Sequence, residues 1–417
     1  MTDYTLKKTQ LRNQWSEARG QISLAKSTVS NLFRYHPPEQ QAQAIPVGQF
    51  NEIIGIDSTA QTLEVEGMAT FEDIVSYCLP RGYLPPVTPE LKQITIGGST
   101  VGIGIESSGF RHGFVHDALL EADVMLPGGV ILNCTADNTH SELFHALPNS
   151  YGTLGYILRA QIALQPALPF TQLTIERFDT PATYLDAMRL ATIGDDVDFV
   201  EGLFFEDRRF YLMVGRFRDE VPQRDDILRK EIFYKLVQSR EEIYLTTADY
   251  IFRYDPEWFW NIPDTPAHSL FRRYAPKRFR TSAFYTKYAA WKQEMRNRAG
   301  TPATTEPLIQ DWEVPWDNAS ELIEFCLNEV SLDGRPWAAV PIRTPRQPTL
   351  YPITANELYF NLGSYCQVRR PAGREPYHYT RIMDQKCFDL GGFKMLYSST
   401  FLDQPTFDAR FNGVTYH

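Results

Sequence analysis

The sequence lacks most of the signatures that assign a chain quickly to a common class of enzyme. Its five cysteines are odd in number, scattered and without a C-x-x-C pair, which argues against a disulfide framework and a zinc site. It contains neither a G-x-x-x-x-G-K-[ST] phosphate loop, nor an H-E-x-x-H helix, nor a G-x-S-x-G turn. These absences disfavour P-loop nucleotidases, zinc peptidases and serine hydrolases, and we expect no metal site.

Positive charge and long apolar runs are also scarce. The chain has 41 Lys and Arg against 51 Asp and Glu, a formal net charge of −10, which argues against a nucleic-acid partner. The polar N-terminal stretch carries no apolar run of signal-peptide or membrane-span length. We therefore expect a cytoplasmic protein without a transmembrane segment.

The length and the aromatic content point to a large, pocket-bearing protein. A chain of 417 residues is too long for one compact core, so two domains are expected. Aromatic residues make up 13% of the chain. They suit an apolar ligand pocket, although core packing is their commoner use.

The most informative stretch is rich in glycine and hydroxyl residues and spans residues 85–117. Gly97, Gly98, Gly102 and Gly104 lie among Thr and Ser, a composition that lets backbone N–H groups approach an anionic ligand such as a phosphate. The alternative is an ordinary glycine-rich loop. A nicotinamide-binding Rossmann turn fits poorly, because Ser107 stands where its third glycine belongs.

Several segments carry a family resemblance. They are Thr95-Ile-Gly97-Gly98, Gly102-Ile-Gly104-Ile-Glu-Ser-Ser, Arg111-His112-Gly113, Tyr151-Gly-Thr-Leu-Gly-Tyr-Ile157 and Phe199-Val-Glu-Gly-Leu203. Together they resemble the vanillyl-alcohol-oxidase superfamily, with Δ24-sterol reductase-like proteins as the nearest branch and cytokinin dehydrogenases as more distant relatives. The resemblance implies an α+β fold: a PCMH-type FAD-binding domain over residues 1–166 and an α+β substrate domain with an antiparallel sheet over residues 167–395. Residues 396–417 are expected to pack near the FAD domain.

The same resemblance implies FAD as the cofactor. The relatives often bind it covalently through a histidine in a glycine-rich first loop, whereas Lys26-Ser-Thr28 occupies that place here, so we expect non-covalent FAD. A solvated surface turn is the alternative for this segment. The residues expected at the cofactor are Lys26, Ser27, Thr28, Thr95, Ile96, Gly97, Gly98, Ser99, Val101, Gly102, Gly104, Ile105, Gly155 and Ile157.

Four side chains are candidates for catalysis, and each has a structural alternative. Glu90 lies where cytokinin dehydrogenases keep a carboxylate near the flavin, and burial against the ring would raise its pKa. Glu201 interrupts an apolar strand, where a charge is costly unless it is used or paired with an arginine. His112 is a possible donor or a structural histidine, and Tyr151 either faces the flavin ring or packs under it.

The resemblance implies hydride transfer between the flavin and an apolar, isoprenoid- or sterol-like substrate, by C=C reduction or CH–CH dehydrogenation. Oxidation of a CH–OH or CH–NH group and an inactive flavin-family scaffold stay open as alternatives. NADPH, oxygen and a quinone are the candidate redox partners.

The sequence pattern also predicts individual elements. We expect a charged surface helix over residues 3–19, a hairpin joining Ile53–Asp57 to Thr62–Glu66, and a helix capped by Thr70. We expect strands over residues 355–363 and 391–400. Residues 219–350 are the least readable part of the chain.

Overall fold

The computed structural model describes residues 3–18, 22–26, 43–228, 231–257, 265–298 and 305–417. In chain order, the first part contains α1 (Asp3–Glu17), β1 (Ile22–Ala25), β2 (Gln43–Pro46), β3 (Ile53–Asp57), β4 (Thr62–Glu66), α2 (Phe71–Cys78), β5 (Tyr83–Leu84), α3 (Ile96–Gly102), α4 (Gly109–His112), β6 (Leu119–Met125), β7 (Ile131–Thr135), α5 (Ser141–Ala146), β8 (Tyr156–Ala163) and β9 (Gln165–Pro166).

The second part of the chain continues the numbering. It contains β10 (Phe170–Phe178), α6 (Pro181–Ala191), β11 (Phe199–Phe204), β12 (Phe210–Arg218), α7 (Phe233–Val237), β13 (Glu242–Thr246), α8 (Thr247–Ile251), α9 (Pro266–Tyr274), α10 (Ser282–Arg298), β14 (Thr305–Pro315), α11 (Ala319–Glu329), β15 (Trp337–Ile342), β16 (Tyr359–Arg369), α12 (His378–Asp389), β17 (Phe393–Lys394), α13 (Gln404–Arg410) and α14 (Gly413–Tyr416). Short 3-10 helices lie at Leu79–Arg81, Val115–Ala118, Asp255–Glu257, Lys277–Phe279 and Trp316–Asn318.

Two antiparallel sheets organise the molecule. A five-stranded sheet in the order β3-β4-β8-β6-β7 lies in the first part of the chain. An eight-stranded sheet in the order β13-β10-β12-β11-β15-β16-β14-β17 lies in the second part. The predicted α+β class is therefore confirmed. The boundaries near residues 166 and 395 and the placement of residues 396–417 stay predictions.

Strand register gives the eight-stranded sheet two different faces. Asp311 pairs with Gly363, which pairs with Ala338, so these three residues lie on one face. The opposite face carries Gly202, where a Cβ atom would overlap the Tyr184 hydroxyl of α6. Helices therefore cover the second face, and the first face is left to line a cavity.

Local chemistry explains several predicted elements. Thr70 caps α2 through a reciprocal pair with Asp73: Asp73 N donates to Thr70 Oγ1 at 3.2 Å, and Thr70 N donates to Asp73 Oδ2 at 3.2 Å. Gly82 ends the following 3-10 turn at a φ of 81°, a backbone conformation that glycine adopts without strain. The hairpin of β3 and β4 forms as expected.

The structure corrects two of the predicted elements. Helix α1 lies at the surface as predicted, with most of its side chains exposed, but its Lys7 is buried in an ion pair with Glu66 at 2.9 Å. Residues 391–400 form only the two-residue strand β17. The strand predicted over residues 355–363 begins instead at Tyr359 and runs to Arg369.

Candidate active site

A cavity of about 270 Å³ lies between the glycine-rich stretch and the open face of the eight-stranded sheet. One wall comes from Pro89 to Glu106 together with Lys26 and Tyr151. The other wall comes from the sheet and the adjoining segments. Its members are Glu201, Tyr254, Asp311, Ala338, Ala339, Val340, Asn361, Gly363, Tyr365 and Tyr397.

The glycine-rich wall is built on a short helix, whereas an irregular phosphate-cradling loop was expected. Thr95 caps α3 by accepting from Gly98 N at 3.2 Å. Gly97 lets α3 lie directly on Gly67, the residue that follows β4. A Cβ atom at Gly97 would stand only 2.8 Å from the Gly67 carbonyl oxygen. Gly104 is equally constrained by Ser99 and Val115. These two glycines serve packing inside the protein.

Gly98 and Gly102 border the cavity, as Gly104 does, but fewer protein atoms stand where their Cβ atoms would be. A Cβ at Gly98 would meet only the Thr95 hydroxyl, and one at Gly102 would meet only the Tyr151 ring, at 3.6 Å. A side chain at either position would therefore fill the space along the wall. This smooth, backbone-lined surface fits a long, flat cofactor such as FAD.

A buried guanidinium organises the floor of the cavity. Arg253 Nη2 donates to Glu201 Oε2 at 2.7 Å and to Glu90 Oε1 at 2.5 Å. Its distance to Glu106 Oε2 is 4.0 Å. Tyr254 and Tyr250 pack their rings against the guanidinium, 4.9 and 4.5 Å from its carbon atom. We call Arg253, Glu90, Glu106 and Glu201 the arginine cluster.

The arginine cluster holds more negative groups than its one cation can neutralise. Burial raises the pKa of Glu90 to about 8, and Glu201 adds to the rise, while Arg253 only partly opposes it. Burial and the charge of Glu90 likewise hold the pKa of Glu106 well above its usual value. At neutral pH the cluster therefore keeps a proton on a carboxyl group that borders the cavity.

A second polar group lies across the cavity. It is centred on Asp311, which the sequence analysis did not identify as a site residue. Asp311 accepts hydrogen bonds from the Tyr365 and Tyr397 hydroxyls, both at 2.6 Å, and from Asn361 Nδ2 at 3.0 Å. Burial raises the pKa of Asp311, and these three bonds oppose the rise. We call these four residues the aspartate cluster.

The structure brings most of the predicted residues to the cavity. Among the predicted cofactor and catalytic residues, those in its lining are Lys26, Glu90, Thr95, Gly98, Ser99, Val101, Gly102, Gly104, Ile105, Tyr151 and Glu201. The Tyr151 hydroxyl donates to the Gly102 carbonyl at 3.0 Å and accepts from Leu396 N at 3.1 Å. Tyr151 therefore joins the glycine-rich wall to the segment that carries Tyr397.

Other predicted residues lie outside the lining. His112 is placed beside Gln165, and burial together with Arg111 lowers its pKa to about 4, so its imidazole is neutral at pH 7. This position favours the structural alternative for His112. Ile96 and Gly97 pack into the interior, and Gly155 packs against Val124 beside the buried Ile157. Contacts of Gly155 and Ile157 with the cofactor stay predictions. Ser27 and Thr28 lie outside the described residues.

Only some of the cavity residues that sequence analysis did not identify carry a signal in the sequence. Asp311 has apolar neighbours in β14, but Gln310 and Glu313 lie in the same strand, so its signal is weaker than that of Glu201. Glu106 lies inside the glycine-rich motif itself. Arg253 and Tyr365 carry no local signal, because folding brings them to the cavity from distant parts of the chain.

Comparison with known proteins gives matches for both the domain and the chain. The profile of an FAD binding domain matches residues 14–135. A Δ24-sterol reductase homologue of Caenorhabditis elegans is 24% identical over 92% of this chain and 77% of its own length. The Δ24-sterol reductase of Homo sapiens is 26% identical over 88% of this chain and 72% of its own length.

A more distant relative matches only part of the chain. Cytokinin dehydrogenase 8 of Oryza sativa subsp. indica is 30% identical over 33% of this chain and 26% of its own length. The order of similarity follows the one expected from the sequence motifs. The predicted classification is thus confirmed: the chain is an FAD-dependent oxidoreductase with a PCMH-type FAD-binding domain, similar over most of its length to Δ24-sterol reductases.

Proposed function

We propose that this protein transfers a hydride between FAD and a carbon–carbon bond of an apolar, isoprenoid- or sterol-like substrate. The observation that carries the proposal is the arginine cluster at the edge of the cavity, where buried carboxyl groups share one guanidinium and burial raises the pKa of Glu90 to about 8. Reduction of a C=C bond consumes one hydride and one proton. Bound FAD supplies the hydride chemistry, and the chain's own residues have to supply the proton.

The side chains divide this work between them. Glu90 holds a proton at its carboxyl group and is the candidate donor to the substrate carbon next to the one that receives the hydride. Arg253 fixes the orientation of Glu90 through the contact between Nη2 and Oε1. Lys26, Gly98 and Gly102 would hold the cofactor along the glycine-rich wall.

The composition of the cavity supports an apolar substrate. Leu91, Val101, Ile103, Ala338 and Val340 contribute aliphatic or small side chains to its lining. The relatives that match most of the chain are named for reductases of sterols. A flat hydrocarbon skeleton would contact these side chains and remove their apolar surface from water.

Oxidation of a CH–OH or CH–NH group is the second candidate. The same carboxyl group favours it, since Glu90 in its ionised form is a base placed to accept a proton when hydride leaves the substrate. The two candidates differ in the direction of transfer. Anaerobic mixing of the oxidised protein with NADPH, and separately with panels of alcohols and amines, distinguishes them by which compound bleaches the flavin absorbance.

The proposed reductase predicts bleaching by NADPH followed by reoxidation with an isoprenoid alkene. Bleaching by an alcohol or amine, with fast reoxidation by oxygen or a quinone, would contradict it and establish the oxidase. A protein that binds FAD but is bleached by none of these compounds would favour the inactive scaffold.

Replacing Glu90 tests its catalytic role. Glu90→Gln should keep the flavin and slow substrate-dependent flavin reduction or reoxidation roughly 10²–10⁴-fold, the usual scale for a lost acid or base. Glu313→Gln is the matched control, because Glu313 is also buried with a pKa raised to about 8 but lies outside the cavity lining. Unchanged rates in Glu90→Gln would remove Glu90 from the mechanism.

We also propose that FAD is held without a covalent bond. The histidine of the relatives' first loop has no counterpart in Lys26-Ser-Thr28. Acid precipitation of the yellow protein should leave the flavin in the supernatant, and flavin that stays with the pellet would contradict the proposal.

A cytoplasmic location is proposed as well, supported by five buried cysteines without disulfide bonds, and cell fractionation tests it.

A further inference from the structure

Two neighbouring helices in the second part of the chain expose large apolar side chains. Tyr274 of α9 is 73% exposed and Trp291 of α10 is 59% exposed, and Leu270, Phe271, Tyr288 and Met295 are exposed as well. Apolar side chains of this size usually lie in cores or contacts, so a cluster of them marks an interaction site. We call these six residues the α9–α10 surface.

The exposed apolar residues of α10 lie on one stripe because of the helical period. In α10, the spacing of Phe284, Tyr288, Trp291 and Met295 follows steps of four, three and four residues, which places them on one stripe. Phe284 stacks on Phe271 of α9 with 6.3 Å between ring centroids. The exposed stripe of α10 is therefore the continuation of its packing contact with α9.

The surroundings of this surface are strongly basic. Residues 266–298 contain nine Arg and Lys residues and one acidic residue, Glu294, which gives a formal charge of +8 in a chain whose net charge is −10. Seven of the nine basic side chains are exposed, from Arg273 to Arg298. Positive charge is thus concentrated beside the apolar stripe, while the rest of the chain carries −18.

We propose that the α9–α10 surface docks on an anionic lipid bilayer. Trp and Tyr favour the boundary between lipid headgroups and acyl chains, and flanking Lys and Arg are attracted to anionic headgroups. A second copy of the chain is disfavoured, because symmetric pairing would bring two strongly basic faces together. Leu270 and Met295 offer no ring for base stacking, so these aliphatic side chains favour acyl chains over a nucleic-acid strand.

Hydrogen bonds link the docking helices to the wall of the cavity. Ser282, the first residue of α10, donates through Oγ to Asp255 Oδ1 at 2.5 Å. Asp255 Oδ1 also accepts from Lys92 N at 3.1 Å, two residues after Glu90. Docking of α9 and α10 would therefore hold a wall of the cavity next to the lipid surface.

Vesicle co-sedimentation of the full chain tests the proposal. We expect binding to vesicles that contain phosphatidylglycerol, weak binding to phosphatidylcholine alone, and loss of binding at high salt. Lys287→Ser/Lys292→Ser should lower the partition coefficient roughly 30-fold, given the usual contribution of each basic residue near an anionic surface. Tyr288→Ser/Trp291→Ser should lower it more than about tenfold by removing inserted apolar area.

A matched control separates docking through the α9–α10 surface from non-specific adsorption through any exposed apolar side chain. Leu190→Ser/Ile193→Ser removes two exposed apolar side chains elsewhere, 71% and 70% exposed, and should leave vesicle binding unchanged. Circular dichroism and thermal melting show that each variant is folded. Absence of vesicle binding, equal binding to neutral and anionic vesicles, or an equal loss in the control would overturn the proposal. A dimer by light scattering that Tyr288→Ser/Trp291→Ser converts to a monomer would assign the surface to a second copy instead.

Discussion

The two polar clusters of the cavity solve the burial of negative charge in different ways. In the arginine cluster, three carboxyl groups surround one guanidinium that makes two short contacts. In the aspartate cluster, a single carboxyl group is surrounded by three neutral donors. Burial raises the pKa of Glu90 in the first cluster and of Asp311 in the second.

This comparison shows that a buried cation does not by itself keep a carboxyl group ionised. Arg253 lowers the pKa of Glu90, but desolvation raises it by more, and Glu201 adds to the rise. Asp311 has no such competition from a second carboxylate within its hydrogen-bonded group, and all its bonds favour the ionised form. The arginine cluster is therefore suited to hold and move a proton, and the aspartate cluster is suited to fix two tyrosine hydroxyls.

The largest effect on stability is expected from removal of the shared cation. Arg253→Met leaves carboxyl groups buried without a partner, and we expect the free energy of unfolding to fall by about 3–5 kcal/mol. Arg253→Lys keeps the charge and should lose less. Denaturant titration measures both variants, and a loss below about 1 kcal/mol in Arg253→Met would contradict the account, given the usual cost of an unpaired buried charge.

The pH dependence of stability gives the next effect. Burial raises the pKa of Glu313 from 4.5 to about 8, so between these values the folded state binds more protons than the unfolded state. Its contribution to stability is therefore present at low pH and is lost as the pH rises toward 8. Glu313→Gln should reduce this decline by about 1.4 kcal/mol per pH unit.

Glu324→Gln is the control for that measurement, because Glu324 pairs with Arg208 at the surface and its pKa is lowered. Its removal should leave the slope between pH 5 and 8 unchanged. Equal slopes in the wild type and Glu313→Gln would show that Glu313 is ionised in the folded protein.

The smallest effect is expected in the aspartate cluster. Tyr397→Phe removes one of three donors to Asp311, and we expect a loss of about 1 kcal/mol in unfolding free energy because Tyr365 and Asn361 remain. The double variant with Tyr365→Phe should lose more than the sum of the two single changes. Additive losses would show that the hydroxyls act independently of the shared carboxylate.

Sequence reasoning succeeded where the signal is local. The cap formed by Thr70 and Asp73, the hairpin of β3 and β4, and the glycine-rich wall all depend on residues close together in the chain. Glu201 was identified because a carboxylate among apolar neighbours requires a reason to be there, and Glu90 was identified from its place in the family resemblance. The structure supplies that reason in Arg253, 163 and 52 residues away along the chain.

Sequence reasoning failed where tertiary contacts decide the outcome. The composition of residues 95–104 favours tight turns that expose backbone N–H groups, yet capping by Thr95 and close packing of Gly97 on Gly67 produce a helix. Lys7 looks like a surface residue of a charged helix until Glu66 of β4 is placed beside it. Neither outcome can be deduced without the position of the partner element.

The most direct test of the account is an infrared titration of the protonated carboxyl groups. At pH 7 the wild-type protein should show a carboxylic-acid C=O band that is absent or reduced in Glu90→Gln, and this difference should disappear as the pH rises through about 8. Such a result would establish a proton held at the edge of the cavity. Identical spectra for the wild type and Glu90→Gln across this range would contradict the account, because Glu90 would then be ionised and unable to donate.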